Sequence, residues 1–278
     1  MLAIEPLTPI GAEIHELDLR ALDDDTFPSL RAALLEYGVI VVRRQALDDA
    51  QHVALAGRFG ELESLGRDMG AEHPELIPIS NRGADGGVLP RSDPSMLSLA
   101  VNEQWHTDSS FREVPSTISV FRAEIVPAEG GDTWYASLRE GWLALSEREQ
   151  AEFEPLRLVH NYARSWERLG ARPPGSFTSP PVTHALVRRH PETGERGLYL
   201  SDHAYAVEGW PAAEGRVLIE RLLALCTRPD RVYRHRWRAG DVLLWDNRNM
   251  LHRAQGFDET QLRVMFHVRV AGSARTED

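Results

Sequence analysis

His106 and Asp108 stand two residues apart in Trp105-His106-Thr107-Asp108. In an extended segment alternate side chains share a face, so an imidazole and a carboxylate at this spacing can reach one metal ion from one strand. A divalent metal held by this pair lacks a third ligand, and a second His from a remote strand would complete the facial triad used for non-haem iron(II). His252 is the candidate. It follows a strand ending near Trp245 and the polar turn Asp246-Asn247-Arg248-Asn249, which would place its imidazole at a strand edge. Taken alone, the same pair also fits a solvated polar strand, and the three residues together fit a zinc site with a bound water.

Arg263 follows in the run Leu262 to Val270, where Leu262, Val264, Phe266, Val268 and Val270 alternate with Arg263, Met265, His267 and Arg269. An isolated antiparallel strand would leave the second set in water. In a small barrel that set can line an interior cavity while the apolar set packs outward. An Arg there suits a carboxylate, because its planar fork makes paired charged bonds. A zinc hydrolase leaves Arg263 without a task, and a barrel that merely binds a small acid needs no open metal position.

Short strands must carry these residues. Phe27 to Tyr37 has apolar residues at helical spacing, Val39-Ile40-Val41-Val42 reads as a buried strand, and Asp48 to Phe59 reads as a second helix capped by Asp48 or Asp49. From Ser64 to Ser98 the pattern weakens, and Asn81 to Pro94, rich in Gly, Asp, Pro and Ser, is expected to be a long mobile loop over the site. Thr117 to Val126 and Thr133 to Tyr135 read as strands around the turn Gly130-Gly131-Asp132, and Ser137 with Glu140 opens a helix expected to run to Phe153. Ala185 to Arg189 and Gly197 to Ser201 flank a hairpin loop, Ala212 to Thr227 is helical, and Arg231 to Arg238, Val242 to Trp245 and Leu262 to Val270 are strands. The expected fold is mainly β with inserted helices, on a double-stranded β-helix core of the jelly-roll, cupin-like kind, in one domain over residues 1–278.

Composition removes competing chemistries. All 31 basic residues are Arg, so no Lys exists to form a Schiff base or to serve a phosphate loop. Cys226 is the single cysteine, which excludes an internal disulfide and cysteine-ligated clusters; among Leu222, Leu223 and Leu225 it reads as an inert buried thiol. A formal charge of -11 opposes nucleic acid and anionic membranes as partners, and no apolar run is long enough to span a bilayer. Met1 to Glu16 carries no leader pattern, so a cytoplasmic protein is expected, as a homo-oligomer.

The string Asn102-Glu103-Gln104-Trp105-His106-Thr107-Asp108, the turn Gly130-Gly131-Asp132-Thr133, Trp245-Asp246-Asn247-Arg248 with His252, and Arg263 together resemble the taurine/2,4-dichlorophenoxyacetate dioxygenase family. Gly11-Ala12-Glu13 and Gly38-Val39-Ile40 extend the likeness over nearly the whole chain. The resemblance implies that His106, Asp108 and His252 bind iron as Fe(2+), and that Arg263, helped by the Thr133 hydroxyl, holds the distal carboxylate of the cosubstrate 2-oxoglutarate. It implies dioxygen and a small organic acid as the other reactants. His267 stands where alkylsulfonate enzymes place an Arg, and Leu262 to Gly272 is similar to the phenoxyalkanoate branch, as are His190 to Gly194, Asp202-His203-Ala204 and Ala239 to Val242. Arg269 is therefore expected at a carboxylate of cosubstrate or substrate, or in a structural ion pair. His203, His267, Asn81 and Arg82 are the expected substrate contacts.

Overall fold

The computed structural model describes residues 2–64, 72–173 and 179–273. In chain order, β1 (Ala3–Pro6), β2 (Ala12–His15), α1 (Phe27–Tyr37), β3 (Val39–Val42), α2 (Asp49–Gly57), β4 (Ile77–Ser80), α3 (Pro94–Val101) and β5 (Ile118–Ile125) precede the turn at Gly130. After it come β6 (Thr133–Ser137), α4 (Leu138–Leu143), α5 (Glu147–Phe153), β7 (Arg157–His160), α6 (Ala163–Arg168), β8 (Val182–Ala185), β9 (Val187–Arg189), β10 (Arg196–Leu198) and β11 (Ala204–Val207). The chain closes with α7 (Ala212–Cys226), β12 (Val232–His235), β13 (Val242–Asp246), β14 (Met250–Ala254) and β15 (Val264–Val270). It is mainly β, with helices packed outside the sheets.

A seven-stranded sheet in the order β1-β2-β3-β13-β5-β15-β4 faces a three-stranded sheet β12-β6-β14. Alternation explains how both faces of the large sheet are buried. Val39, Val41, Leu243, Trp245 and Met265 point inward and meet Tyr135, Tyr233 and Met250 of the small sheet. Ile40, Val42, Val242, Leu244, Val268 and Val270 point the other way and pack with Leu30, Leu34, Leu55 and Ala56 of α1 and α2. Strands covered on both faces read as unbroken apolar runs, as Val39 to Val42 does. Behind the small sheet a third cluster joins Ala136 and Leu251 to Trp142, Leu218 and Leu222.

Helix ends follow local chemistry. Gly38 stops α1 with φ 74°, where a Cβ would also come within 2.8 Å of the Met250 sulfur. Asp48 caps α2 in a capping box with Gln51.

Three expectations change. The helix foreseen from Ser137 to Phe153 is two, because Ser146 starts a second capping box with Glu149 and re-initiates the chain as α5. The loop foreseen from Ser64 to Ser98 holds β4, the edge strand beside β15, and the start of α3, capped by Asp93; residues 65–71 lie outside the described residues. The His106 segment is no strand. His106 makes a single β-bridge to His252, and Asp108 enters a turn.

Candidate metal centre

The bridge does what the expected strand was to do. His106 N–H donates to the His252 carbonyl at 2.9 Å and His252 N–H returns the bond at 2.8 Å, so the two residues are directly opposed and their rings lie 4.2 Å apart. His252 thus sits in the middle of β14, the outer strand of the small sheet, and meets His106 across that edge. The His106 Nδ1 lies 2.7 Å from the Gln104 carbonyl. A carbonyl only accepts, so Nδ1 carries the proton and Nε2 offers its lone pair.

Asp108 is placed by Asn247. The Asn247 Oδ1 accepts from the Asp108 N–H at 2.7 Å, and its Nδ2 donates to the Asp108 carbonyl at 2.8 Å. Ser119 Oγ donates to one carboxylate oxygen at 2.8 Å. One nitrogen of each imidazole and one Asp108 oxygen then lie within 4.8 Å of one another, all three residues being buried. Burial alone raises a carboxyl pKa, but His252, His267 and Arg269 around Asp108 outweigh it and hold the group well below the usual carboxylate range. Burial pushes His252 the other way, well below an ordinary imidazole, so it stays neutral. The ionised Asp108 carboxylate, the neutral His252 imidazole and the His106 Nε2 form a divalent-metal donor set. The His252 Nδ1 is buried without a hydrogen-bond partner among the described residues.

Arg263 lies along the same pocket as the three residues. Its Nε and Nη2 both donate to the Gly131 carbonyl, at 3.2 and 3.0 Å, and none of the ion pairs among the described residues includes it. Burial draws its pKa down to about 10, which leaves it charged at neutral pH. A buried, unneutralised cation facing a pocket calls for an anion. Gly131 allows this approach: its φ is 68°, and a Cβ would lie 3.0 Å from Arg263 Nε. Thr133 Oγ accepts the Trp237 indole N–H at 2.9 Å, which leaves the hydroxyl proton free to donate toward the pocket.

His203 and His267 also line this pocket, both buried and both pulled down to about 4 by desolvation. His203 accepts or donates at Nδ1 to Ser110 Oγ, 2.8 Å away, and stands edge-on to the stacked rings of Phe111 and Tyr162. His267 Nε2 is 3.6 Å from Asp108. Arg269 lines the pocket too, but its charge is met by Glu63 at 3.2 Å and Asp108 at 3.6 Å, the structural ion pair among the alternatives.

Asn81 and Arg82 are not brought to the pocket. Asn81 is fully buried and spends its side chain as a clamp, accepting from Arg263 N–H at 2.8 Å and donating to the Gln261 carbonyl at 2.8 Å. Arg82 turns outward to Glu124 at 3.0 Å. Residue type and spacing alone do not single out Asn247, Ser119 and Glu63. Asn247 stands within Trp245-Asp246-Asn247-Arg248, whereas Glu63 and Ser119 carry no local signal.

The sequence profile described as taurine catabolism dioxygenase TauD, TfdA family matches residues 3–269. An (S)-phenoxypropionate/alpha-ketoglutarate-dioxygenase of Sphingobium herbicidovorans is 37% identical, over 99% of this chain and 96% of that protein. An alpha-ketoglutarate-dependent 2,4-dichlorophenoxyacetate dioxygenase of Cupriavidus pinatubonensis is also 37% identical, over 94% of each. The crystal structure of AAD-2 in complex with Mn(II) and N-oxalylglycine superposes with a TM-score of 0.92 at 34% identity, covering 100% of both chains.

Proposed function

Because the chain belongs to the TauD, TfdA family of dioxygenases, we propose that His106, Asp108 and His252 hold iron(II) and that Arg263 and Thr133 hold the far carboxylate of 2-oxoglutarate. The protein is an alpha-ketoglutarate-dependent dioxygenase, with Fe(2+) as its metal. One observation carries the residue assignment: the His106, Asp108 and His252 donor set and a buried Arg263 in no ion pair among the described residues line one pocket. The ligand of the AAD-2 complex, N-oxalylglycine, shares the terminal carboxylate and oxalyl head of 2-oxoglutarate, which supports that spacing.

Bound there, iron would couple decarboxylation of 2-oxoglutarate to hydroxylation of a second small acid. The protein's own part is positional. Gln104 keeps the His106 Nε2 lone pair available, Asn247 and Ser119 hold the Asp108 carboxylate, and the apolar walls Ile77, Ile79 and Phe121 exclude water. Arg269 stays committed to Glu63 and Asp108, and so steadies the ligand carboxylate.

The substrate we propose is a phenoxyalkanoate-like carboxylate. The stacked Phe111 and Tyr162 beside His203 give the pocket an aromatic wall for its ring to pack on, and the similarity to phenoxypropionate enzymes supports the class. Hydroxylation at the carbon between ether oxygen and carboxylate leaves a hemiketal-type product that breaks into a phenol and a 2-oxo acid. A panel of phenoxyalkanoates, alkylsulfonates and other small acids, scored by substrate-dependent succinate, tests this. Succinate and phenol with an aryloxypropanoate are expected; succinate driven only by sulfonates would overturn it.

We further propose that residues 1–278 form one domain on a double-stranded β-helix core, working in the cytoplasm as a homo-oligomer. The shared core of the two sheets supports the first, the exposed Leu143 and Val217 suit a contact between copies, and light scattering checks the assembly.

A further inference from the structure

Beyond Asp108 the chain turns through Ser109, Ser110, Phe111 and Arg112 without joining a sheet. Phe111 and Arg112 line the pocket, so this turn carries part of the wall that an organic substrate meets. Side chains hold it where a strand ladder does not. Ser109 Oγ donates to Glu63 at 2.9 Å, Ser110 Oγ lies 3.1 Å from Ser201 Oγ and 3.3 Å from His160 Nδ1, and His184 Nε2 lies 3.0 Å from the Arg112 carbonyl.

The last contact comes from a layer behind the pocket. Register between β7 and β8 puts His160 and His184 on one face with their rings 5.3 Å apart, and the Tyr199 ring stands 5.8 and 5.5 Å from the two. Arg188 lies over that tyrosine, its Cζ 3.4 Å from the ring centroid, and its Nη2 meets His184 Nδ1 at 2.8 Å. None of these four residues lines the pocket.

Desolvation, and then the charge of Arg188, draw His184 down to about 4, so at neutral pH its ring holds one proton. A carbonyl only accepts, which puts that proton on Nε2 and leaves Nδ1 to take the guanidinium N–H. The bonds run head to tail from Arg188 through His184 to Arg112, and the cation at the head polarises the ring and strengthens the second bond. Arg188 is 8% exposed, is in no ion pair among the described residues, and leaves its Nε without a hydrogen-bond partner. A buried cation in that state destabilises a fold relative to an apolar side chain of similar size, and a cation–π contact with Tyr199 offsets only part of the cost. Core packing does not account for an arginine here, whereas the orientation of His184 does.

We propose that Arg188 and His184 are positioning residues that set the place of Phe111 through the Arg112 carbonyl, and so fix how broad a ring the pocket admits beside Tyr162 and His203. Ser109 holds a left-handed φ of 58°, a conformation that persists only while its surroundings over-determine it. With the Arg112 carbonyl released, the turn relaxes and the Phe111 ring backs away from the pocket. Asp108 and Arg263 keep their own anchors, Asn247 and the Gly131 carbonyl, so the metal and cosubstrate positions stay as they are.

The choice of probe rests on the phenoxyalkanoate reading above, and the experiment separates the two. Arg188→Met and His184→Leu keep apolar bulk and break the chain of bonds, whereas Arg188→Lys returns a donor to His184 and His184→Gln returns a donor to Arg112. Iron(II)-loaded enzyme with 2-oxoglutarate is assayed by succinate on phenoxypropanoate and on naphthyloxypropanoate, and amide hydrogen exchange is followed over Ser109 to Glu113 in Mn(II)-loaded protein. In the two breaking variants the KM of phenoxypropanoate should rise on the order of tenfold while that of 2-oxoglutarate holds. The ratio of kcat/KM between the two acids should move toward the broader ring, and exchange over the turn should quicken. Arg188→Met should do this with no loss of stability to urea, which separates positioning from a merely structural role. The two conservative variants should recover most of each effect. If neither acid yields substrate-dependent succinate in the parent, the substrate reading fails and the exchange measurement decides this inference alone. Unchanged exchange over the turn in both breaking variants, or an unchanged ratio between the two acids, overturns it.

Discussion

At Asn247 one side chain satisfies both backbone groups of a metal-site residue. Its amide also accepts from Thr107 Oγ1 at 2.9 Å and donates to the Ser116 carbonyl at 3.0 Å, so no polar atom of it is spare. The turn it holds is demanding, because Ser109 just beyond Asp108 has φ 58°. Asn247→Ala should leave the buried Asp108 N–H and carbonyl unpaired, at a cost of about 3 kcal/mol in a urea titration. It should also weaken Mn(II) binding on the order of ten- to a hundred-fold, as loss of a group that orients a ligand does. Stability lost with Mn(II) affinity unchanged would make Asn247 an anchor of the fold alone. Asp108→Ala removes the one carboxylate of the set, and both Mn(II) binding and succinate formation should vanish; retained activity would sink the assignment. Thr133→Val is milder, about 1 kcal/mol of 2-oxoglutarate affinity, since one donated hydrogen bond is lost.

At the scale of elements, period-two and helical patterns were legible wherever a face meets the core. Phe27–Tyr37 and Val242–Asp246 fall where spacing puts them. What spacing could not give was β14, whose Met250-Leu251-His252-Arg253-Ala254 mixes apolar and polar residues because one face lines the pocket. Nor could it show β4, where Pro78 interrupts a short edge strand, or the break at Ser146, which a capping box decides. The alternation of β15 was legible, and Arg263, His267 and Arg269 all line the pocket. Asn81 looked like a loop residue because nothing local tells a clamp from a contact. Helix α2 carries a separate consequence. Its His52 is buried, bonded through Nε2 to the Val120 carbonyl at 3.1 Å, and drawn down to about 3 by burial and then by Arg122. The unfolded imidazole titrates near ~6.5, so as pH falls below that value the unfolded chain binds the proton first. The contribution of neutral His52 is therefore whole above about pH 6.5 and is lost on the way down to about 3, at about 1.4 kcal/mol per pH unit. His52→Gln keeps a donor for Val120. Its loss of stability between pH 7 and 5 should be smaller than that of the parent by about 2 kcal/mol in urea unfolding, and equal losses would refute the account.

Across the whole molecule, a chain of net charge -11 concentrates Arg112, Arg263 and Arg269 around one interior pocket. Two of these have carboxylate company, Arg269 with Glu63 and Asp108, and Arg112 with Glu63 at 3.6 Å. Arg263 alone faces the pocket on a carbonyl bond, so folding leaves a desolvated charge for a ligand to neutralise. Asp108, next to His252 and His267, is the complementary charge for a metal. The two ligands should therefore stabilise the fold in separable steps, each by mass action on the native state. At about a hundred times its dissociation constant a ligand adds about 2.7 kcal/mol, which for a chain of this size is a rise in Tm of about 5 °C. Mn(II) should give the first step in the parent protein, and N-oxalylglycine the second only when Mn(II) is present. Arg263→Ala should keep the Mn(II) step and lose the second, because the donor set is intact while the far carboxylate has no cation. Scanning calorimetry with each addition reads both. A second step that survives Arg263→Ala would move the anion site elsewhere in the pocket, with Arg269, freed from Glu63, the next cation to test.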